Sequence, residues 1–482
     1  MSSTAVRTVS ATSLTDGSLD TLLQRGEPFV LTGAIETWAA RKWDLETLSR
    51  EFGEAPVCVR LHPRELGEQP RCYFEGECAY LPSSMANFCS WLARVDGGES
   101  SSLGEFSHER FIGYADYQDM VRLLPSEALS AVDWSSVTGV DRDGMHSTLW
   151  LGSEGAHTPT HYDTFGLNFV AQIVGSKRWR LHPPSAGLAP TRVPYEESSV
   201  YAEAGPDAGT ALPGALTIDL QPGQVLHVPK HWWHTVQTVS CHALSINTWI
   251  DAPGDDADRL REALVRLLVS SILVASGRAH PDAGQGNEAG EGDSSEAAVT
   301  TSEGLEDDAP ACGWVNPTEQ LWSAADNLDA LRVALAACVS TGTSDEEEEK
   351  ELDIDAVAQA VCTGAAIAAA AHTISSAAGM AGSSTLQAPL SALIRLALFG
   401  SDPAASSFAD FSSSLSRLRD CFPHDCTLTL RDVVNAVSTG HALEVAVSSL
   451  LVARRERCKM RAVDEQTEPE AKRHRGSDSD RE

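Results

Sequence analysis

The sequence predicts an α+β protein, with a strand-rich N-terminal half followed by a mostly α-helical C-terminal region. In the first half, short runs of β-branched and aromatic residues lie between Gly, Pro and Asp turn signals, which is typical of a β-sandwich or barrel. In the second half, apolar residues recur at spacings of three and four, as expected for helices with one buried face. At 482 residues, the chain can bury large cores without disulfide bonds.

Eight apolar runs in the first half are predicted to be strands. They combine β-branched, aromatic or Leu residues with polar neighbours, a composition that suits a half-buried pleated surface. The predicted strands are Phe29–Thr32, Val57–Leu61, Leu149–Gly152, Leu167–Ile173, Trp179–His182, Leu216–Leu220, Gln224–Val228 and Leu244–Ile250.

The predicted helices begin with DRLREALVRLLVSSILVA, whose apolar residues form one continuous face. The predicted helices are Asp258–Ala275, Thr318–Ser340, Ile354–Ser375, Leu386–Leu398, Phe408–Leu418 and Leu428–Arg455.

Composition divides the chain into five parts. A strand-rich domain at 1–253 is followed by a flanking helix at 254–280 and by an acidic linker at 281–310, which has no Lys or Arg. We expect the linker to be disordered, because it lacks the apolar groups that offset the entropy of ordering. A helical region at 311–457, interrupted by an acidic loop near 341–352, precedes a polar tail at 458–482, which is also expected to be disordered.

Charge and targeting signals narrow the function classes. The net charge of −32 disfavours a protein that grips nucleic acid non-specifically, although it does not exclude RNA at a local basic patch. No apolar signal core and no membrane-length apolar run are found. The eleven cysteines include no CxxC pair, so we expect reduced thiols in a cytoplasmic protein. A basic patch at Lys472–Arg475 is compatible with nuclear entry as well.

Three residues of the strand-rich half carry the spacing of a metal site. His161 and Asp163 stand at i and i+2, so they project from one face of an extended segment, and His234 follows 71 residues after Asp163. Two imidazoles and one carboxylate can occupy one face of an octahedral Fe(II) and leave three positions open. A zinc cluster of His227, His231 and His234 is a weaker alternative, because Pro229 interrupts the helix that such spacing would suit.

The motifs around these residues resemble the JmjC branch of the cupins, the Fe(II)- and 2-oxoglutarate-dependent oxygenases. The resemblance covers roughly 20–252. It is carried by GEPFVLTGAIETWAARKW from Gly26, the THYD block, GSKRW, PGQVLHVPKHWWH and SINTW, in the family's order. It implies a double-stranded β-helix of the cupin or jelly-roll type. PTRVPYEESSVY and WVNPTE, which ends at Glu319, are similar to a JmjC subgroup associated with a small heat-shock protein.

The resemblance also implies site residues. His161, Asp163 and His234 would bind iron and form the catalytic centre, and Lys177 would hold the distal carboxylate of 2-oxoglutarate. Four further residues match positions that line the co-substrate: Thr158, Asn168, Asn247 and Tyr114. His157 either lines the substrate mouth or supports the ligands, and Trp232 and Trp233 are interpreted as packing residues.

The function implied is an Fe(II)- and 2-oxoglutarate-dependent dioxygenase that consumes O2 and most readily hydroxylates a protein side chain. Hydroxylation is favoured over demethylation because the chain shows no zinc-finger reader modules. The alternative is a JmjC cupin that has little or no activity and works as an interaction protein, for example with a small heat-shock protein. The expected partner is therefore a protein, not a membrane, and the apolar helical faces are compatible with a homodimer.

Overall fold

The computed structural model describes residues 5–14, 17–64, 72–94, 103–203, 212–276, 313–317, 319, 322–338, 413, 430–438, 443–444 and 446–452. The strands are β1 (Arg7–Ser10), β2 (Phe29–Thr32), β3 (Pro56–Pro63), β4 (Ala79–Ser84), β5 (Phe111–Asp119), β6 (Thr148–Ser153), β7 (His157–Asp163), β8 (Leu167–Val174), β9 (Lys177–His182), β10 (Pro190–Thr191), β11 (Ser199–Ala202), β12 (Leu216–Leu220), β13 (Gln224–Val228), β14 (Trp233–Thr238) and β15 (His242–Ile250). The α-helices are α1 (Ser18–Leu23), α2 (Leu45–Phe52), α3 (Met85–Leu92), α4 (Met120–Leu123), α5 (Ser126–Leu129), α6 (Ser135–Thr138), α7 (Asp255–Ala275), α8 (Ala324–Cys338) and α9 (Leu430–Ser438). Short 3₁₀ helices lie at Ala11–Ser13, Ala39–Lys42, Glu75–Glu77, Gly144–His146 and Pro184–Ala186.

The strands form two sheets that face each other. The large sheet has the order β1-β2-β13-β8-β15-β6-β5-β3-β4, and the small sheet has the order β10-β11-β7-β14-β9-β12. An apolar cluster between them combines Val170 and Leu226 of the large sheet with Trp179, Leu181 and Val236 of the small one. Burial of one face of each sheet against the other stabilises a sandwich of this kind. The predicted α+β cupin fold is thus confirmed.

Three predicted strands, Phe29–Thr32, Leu216–Leu220 and Gln224–Val228, have the predicted bounds, and the other five are longer than predicted. The runs missed as strands include β7 and β14, which contain the sequences HTPTHYD and WHTVQT. Pro159 and the ligand residues interrupt the apolar pattern of these runs, and His161, Asp163 and His234 come together between the sheets. Local pattern fails here because the inward face is polar for a chemical reason.

The other face of the large sheet carries helices. Leu48 and Phe52 of α2 and Phe88 of α3 belong to a second, larger apolar cluster. Asp44 caps α2 by accepting a hydrogen bond from the Thr47 N–H at 2.8 Å. The large sheet is therefore covered on both faces, which holds its strands rigidly behind the site.

Contact density divides the chain into two compact units, 1–258 with 293–320 and 259–292 with 321–482. In the second unit, the Arg266 guanidinium lies 3.5 Å from the ring centroid of Trp322, and Arg261 pairs with Glu444 at 2.8 Å. The described helices of this unit confirm its helical character. No helix in the described part of the chain is long and apolar enough to cross a membrane.

Several predictions fall on residues outside the described ones. They are the helices Ile354–Ser375 and Leu386–Leu398 and most of Phe408–Leu418, the linker 281–310, the acidic loop near 341–352 and the tail 458–482. The predicted segments Thr318–Ser340 and Leu428–Arg455 are represented by α8, by α9 and by helical residues between 443 and 452.

Candidate metal and co-substrate site

The structure brings His161, Asp163 and His234 together on the inner face of the small sheet. His161 lies directly opposite His234 in the antiparallel pair of β7 with β14, and their ring centroids are 4.1 Å apart. Asp163 follows two residues later on the same face of β7. One ligand atom from each of the three lies within 4.8 Å of the other two, and among the described residues this is the one group of its kind.

The imidazoles of His161 and His234 both present Nε2 to the candidate metal position. His161 Nδ1 bonds to the Pro159 carbonyl at 2.8 Å, and His234 Nδ1 bonds to the Trp232 carbonyl at 2.9 Å. Because a carbonyl only accepts, each Nδ1 carries a proton, and Nε2 is the nitrogen that each ring offers to a metal. Burial, and after it the neighbouring His161, lowers the pKa of His234 to about 4. His234 is therefore neutral at physiological pH, which is the form that binds metals.

The Asp163 carboxylate is held by two donors on one oxygen. The amide of Asn168 and the indole N–H of Trp249 each donate to Oδ2 at 3.0 Å. The other oxygen, Oδ1, lies 3.9 Å from His161 Nε2. The carboxylate thus offers one oxygen to the candidate metal position while the other stays engaged with the protein.

The turn before β14 ties its histidine to β7. His231 has a φ of 67°, in the left-handed region, and its N–H donates to the Asp163 carbonyl at 2.9 Å. His231 Nε2 bonds to the Thr164 carbonyl, and His227 Nδ1 bonds to the Asn168 carbonyl. These two histidines support the backbone near the site, and they do not join His234 in a cluster. The zinc alternative has no geometric support among the described residues.

Lys177 lies buried between the sheets with hydroxyl partners only. Its Nζ donates to the Ser245 hydroxyl at 2.7 Å and to the Tyr114 hydroxyl at 3.3 Å, and the residue is 2% exposed. None of the ion pairs formed by the described residues includes it. Burial lowers the pKa of Lys177 to about 7, although the charge of Asp116 acts in the opposite direction. A buried cation without a counter-ion is costly, so this position suits an anionic ligand.

The remaining predicted co-substrate residues lie close either to the metal triad or to Lys177. Thr158, on β7, lies beside Tyr114 on β5, and burial raises the pKa of Tyr114 above its usual range. Asn247 donates from Nδ2 to Asn168 Oδ1 at 3.1 Å, so the two amides are adjacent on the Asp163 side. The structure therefore gathers Thr158 and Tyr114 with Lys177, and both Asn residues with Asp163. Their roles in binding 2-oxoglutarate stay predictions.

A second buried cation near Lys177 has, by contrast, two carboxylates within ion-pair distance. The Arg60 guanidinium lies 3.1 Å from Asp116 and 3.5 Å from Glu75, and all three side chains are buried. Arg60 also donates to the His157 carbonyl at 2.6 Å. His157 itself has both ring nitrogens occupied, since Nε2 accepts from the Tyr73 N–H and Nδ1 bonds to the Gly155 carbonyl. His157 therefore supports the wall of the site through backbone contacts.

A short segment from beyond the linker completes the wall beside His161. Val315 forms a parallel bridge with Tyr195, and the buried Asn316 donates from Nδ2 to Glu196 and, at 2.8 Å, to the Tyr201 hydroxyl. Tyr201 lies opposite His161 in the pairing of β11 with β7, and its ring centroid is 5.9 Å from that of His161. Residues 313–317 thus belong structurally to the same unit as the triad.

Sequence reasoning left several of these residues without a role. Ser245 and Trp249 stand at i−2 and i+2 relative to Asn247 in SINTW, so all three share one face of β15. Polar residues repeating every second position in an otherwise apolar strand could have revealed them. Glu196 and Asn316 gave no such signal, because their contact joins segments about 120 residues apart.

The donor set fits the groups that the resemblance implies. Two imidazoles that each offer Nε2 and a carboxylate with one available oxygen are the 2-His-1-carboxylate set of non-haem Fe(II) sites. Lys177, Ser245 and Tyr114 offer a cation and two hydroxyls to a carboxylate. Both centres lie on the inner face of the small sheet, Thr158 and His161 being separated along β7 by three residues, or about 10 Å.

Residues 17–256, about half of the chain, match the cupin-like domain family. The chain therefore belongs to this family, in its JmjC branch, as the motifs predicted. Proteins of this branch are usually oxygenases and typically use Fe(II) and 2-oxoglutarate.

Individual relatives carry two kinds of name. HSPB1-associated protein 1 of Rattus norvegicus is 35% identical over 278 residues, which cover 54% of this chain and 56% of that protein. The HSPB1-associated protein 1 homolog of Danio rerio is 34% identical over 328 residues, or 65% of each chain. Lysine-specific demethylase JMJ30 of Arabidopsis thaliana is 27% identical over 235 residues, covering 46% of this chain and 50% of that protein. The chain thus spans little more than half the length of the rat relative.

Proposed function

We propose that the chain is an Fe(II)- and 2-oxoglutarate-dependent dioxygenase that hydroxylates a side chain of a protein substrate. The observation that carries the proposal is the coexistence of the triad with a buried Lys177, whose Nζ has hydroxyl hydrogen-bond partners and no ion-pair partner among the described residues, in the same inter-sheet space. A metal site alone would suit many cupins, whereas the buried cation requires an anion as well. The two together match the needs of a metal and a dicarboxylate co-substrate.

In this proposal, His161, Asp163 and His234 hold Fe(II), and Lys177 with Ser245 holds the distal carboxylate. The bound iron and co-substrate supply the oxidising power that converts a C–H bond of the substrate to an alcohol. The side chains of this protein keep their geometry throughout, because the Nδ1 atoms of both histidines and the Oδ2 atom of Asp163 are already hydrogen-bonded. The apolar cluster between the sheets excludes water from one side of the site.

A second candidate is an interaction protein built on the same fold. The name of the rat and fish relatives describes an association with HSPB1, which favours a small heat-shock protein as a partner of this chain too. Demethylation is a further alternative, favoured by the name of the Arabidopsis relative.

We also propose that the protein is cytoplasmic and that it enters the nucleus.

The test is an anaerobic titration of the full chain with Fe(II) and 2-oxoglutarate, followed by the visible metal-to-ligand charge-transfer band. The proposal predicts a band in the wild-type chain that disappears in Asp163→Ala and in Lys177→Ala. Lys42→Ala is a matched control, since Lys42 is exposed and remote in sequence from the triad. A folded, iron-loaded wild-type chain without the band would contradict the enzyme and favour the interaction protein.

Turnover is measured separately, as succinate formed from 2-oxoglutarate in the presence of O2. Peptides and proteins, including a small heat-shock protein, are then tested for stimulation of succinate formation. A mass increase of one oxygen atom in the substrate supports hydroxylation, whereas formaldehyde release would point to demethylation. Binding of a small heat-shock protein without either product would favour the second candidate.

A further inference from the structure

Four buried or half-buried side chains form a continuous hydrogen-bonded relay that ends on Asp163. The Trp150 indole N–H donates to Asn247 Oδ1 at 2.8 Å. Asn247 Nδ2 donates to Asn168 Oδ1 at 3.1 Å, and Asn168 Nδ2 donates to Asp163 Oδ2 at 3.0 Å. The two amides are 2% and 4% exposed, so water does not compete for these bonds.

The two ends of the relay dictate the orientation of both amides. An indole nitrogen only donates and an ionised carboxylate only accepts, while an Asn side chain has one donor end and one acceptor end. With Trp150 at one end and Asp163 at the other, one arrangement satisfies every group. Without the indole N–H, the Asn247 carbonyl loses its partner and the relay is fixed from the carboxylate end alone. The Asn168 amide is then less firmly aimed at Asp163.

Resting on the proposed metal site, we infer that Trp150 is a positioning residue, which orients the Asp163 carboxylate through the two intervening amides. The Trp150 ring also packs against that of Tyr117, with the ring centroids 4.5 Å apart, while its indole N–H donates to Asn247 in the relay. Trp249 acts on the same oxygen directly, at 3.0 Å. Trp249 directly, and Trp150 through the two amides, thus act on Oδ2, which leaves Oδ1 for the metal position.

The inference is tested by Mn²⁺ affinity in a double-mutant cycle on the full chain, with Mn²⁺ as a stand-in for Fe(II) that resists oxidation. Trp150→Phe keeps an aromatic ring and removes the N–H. We expect it to weaken Mn²⁺ binding about tenfold, the low end of the range for outer partners of metal ligands. In the Asn168→Ala background, the same substitution is expected to have no further effect, because the relay is already broken.

Two further variants separate positioning from packing. Asn247→Ala interrupts the middle of the relay without touching the Trp150 ring, and it is expected to weaken Mn²⁺ binding to a similar degree. Trp134→Phe is the matched control, since its buried indole donates to the Ser147 hydroxyl outside the relay. It is expected to leave Mn²⁺ affinity unchanged while lowering stability.

The outcomes discriminate between the relay and the metal site. Unchanged Mn²⁺ affinity in Trp150→Phe, or an equal loss in both backgrounds of the cycle, would overturn the role of Trp150 and leave the metal site intact. A wild-type chain that binds no Mn²⁺ would overturn the metal site and the relay together. Loss of stability in Trp150→Phe without loss of affinity would show that the residue only packs.

Discussion

Replacing Lys177 by Met is expected to stabilise the ligand-free fold while abolishing co-substrate binding. Met has nearly the shape of the Lys side chain but carries no charge. Lowering the pKa of Lys177 from 10.5 to about 7 corresponds to about 5 kcal/mol of unfavourable free energy in the charged folded form. The hydroxyls of Ser245 and Tyr114 lose a partner in the variant, at about 1 kcal/mol each. The free energy of unfolding should therefore rise by about 3 kcal/mol.

The stability that Lys177→Met gains over the wild type should decrease as the pH rises above about 7. The unfolded chain keeps the Lys177 proton up to about pH 10.5, whereas the folded chain releases it above about pH 7. Between these values the unfolded state binds more protons, so the wild-type free energy of unfolding rises with pH. The advantage of Lys177→Met is therefore full at and below about pH 7, and it fades toward pH 10.5.

The assay is denaturant unfolding followed by tryptophan fluorescence, since all but two of the eleven tryptophans precede residue 253. Lys42→Met at an exposed position is the control and should change little. A Lys177→Met chain that is less stable than the wild type at neutral pH would refute the reasoning. An advantage that grows between about pH 7 and pH 9 would refute it equally.

Three more predictions follow from the same neighbourhood. Arg60→Met should lower the free energy of unfolding by about 3 to 5 kcal/mol, opposite in sign to Lys177→Met, because it leaves Glu75 and Asp116 as buried charges; unchanged denaturation midpoints would contradict this. The dissociation constant of 2-oxoglutarate, measured calorimetrically with Mn²⁺ present, should rise above about pH 7 by up to about tenfold per pH unit, because the anion needs protonated Lys177; a constant that stays level to pH 9 would argue against that role. Asn316→Ala should lower the free energy of unfolding by about 1 to 3 kcal/mol by removing a buried donor from the Glu196 carboxylate, and equal stability of variant and wild type would show that this hydrogen bond does not stabilise the fold.

The sequence was enough to predict the fold class, because runs of β-branched and aromatic residues and the turn residues between them are local signals of strands. It identified β2, β12 and β13 with the bounds that the structure has, and it placed the triad through the HYD spacing and the family motifs. The apolar pattern could not identify β7 and β14, because the candidate metal ligands His161, Asp163 and His234 are polar residues in these strands. Local pattern likewise could not show that Lys177 meets Ser245, because this contact joins strands 68 residues apart in different sheets.

The contrast between Arg60 and Lys177 bears directly on the choice between an enzyme and an interaction protein. Arg60 has two buried carboxylates as counter-ions, so the protein itself compensates the charge of Arg60. Lys177 donates hydrogen bonds to hydroxyls only and feels Asp116 without forming an ion pair with it, so an apolar residue in its place is expected to make the fold more stable. A protein that works solely through its outer surface gains nothing from such a cation between its sheets. An anion bound there would restore the charged form of Lys177 and recover the free energy that burial costs. The buried Lys177 therefore favours a ligand-binding centre over an inert cupin frame, and the co-substrate titration decides between them.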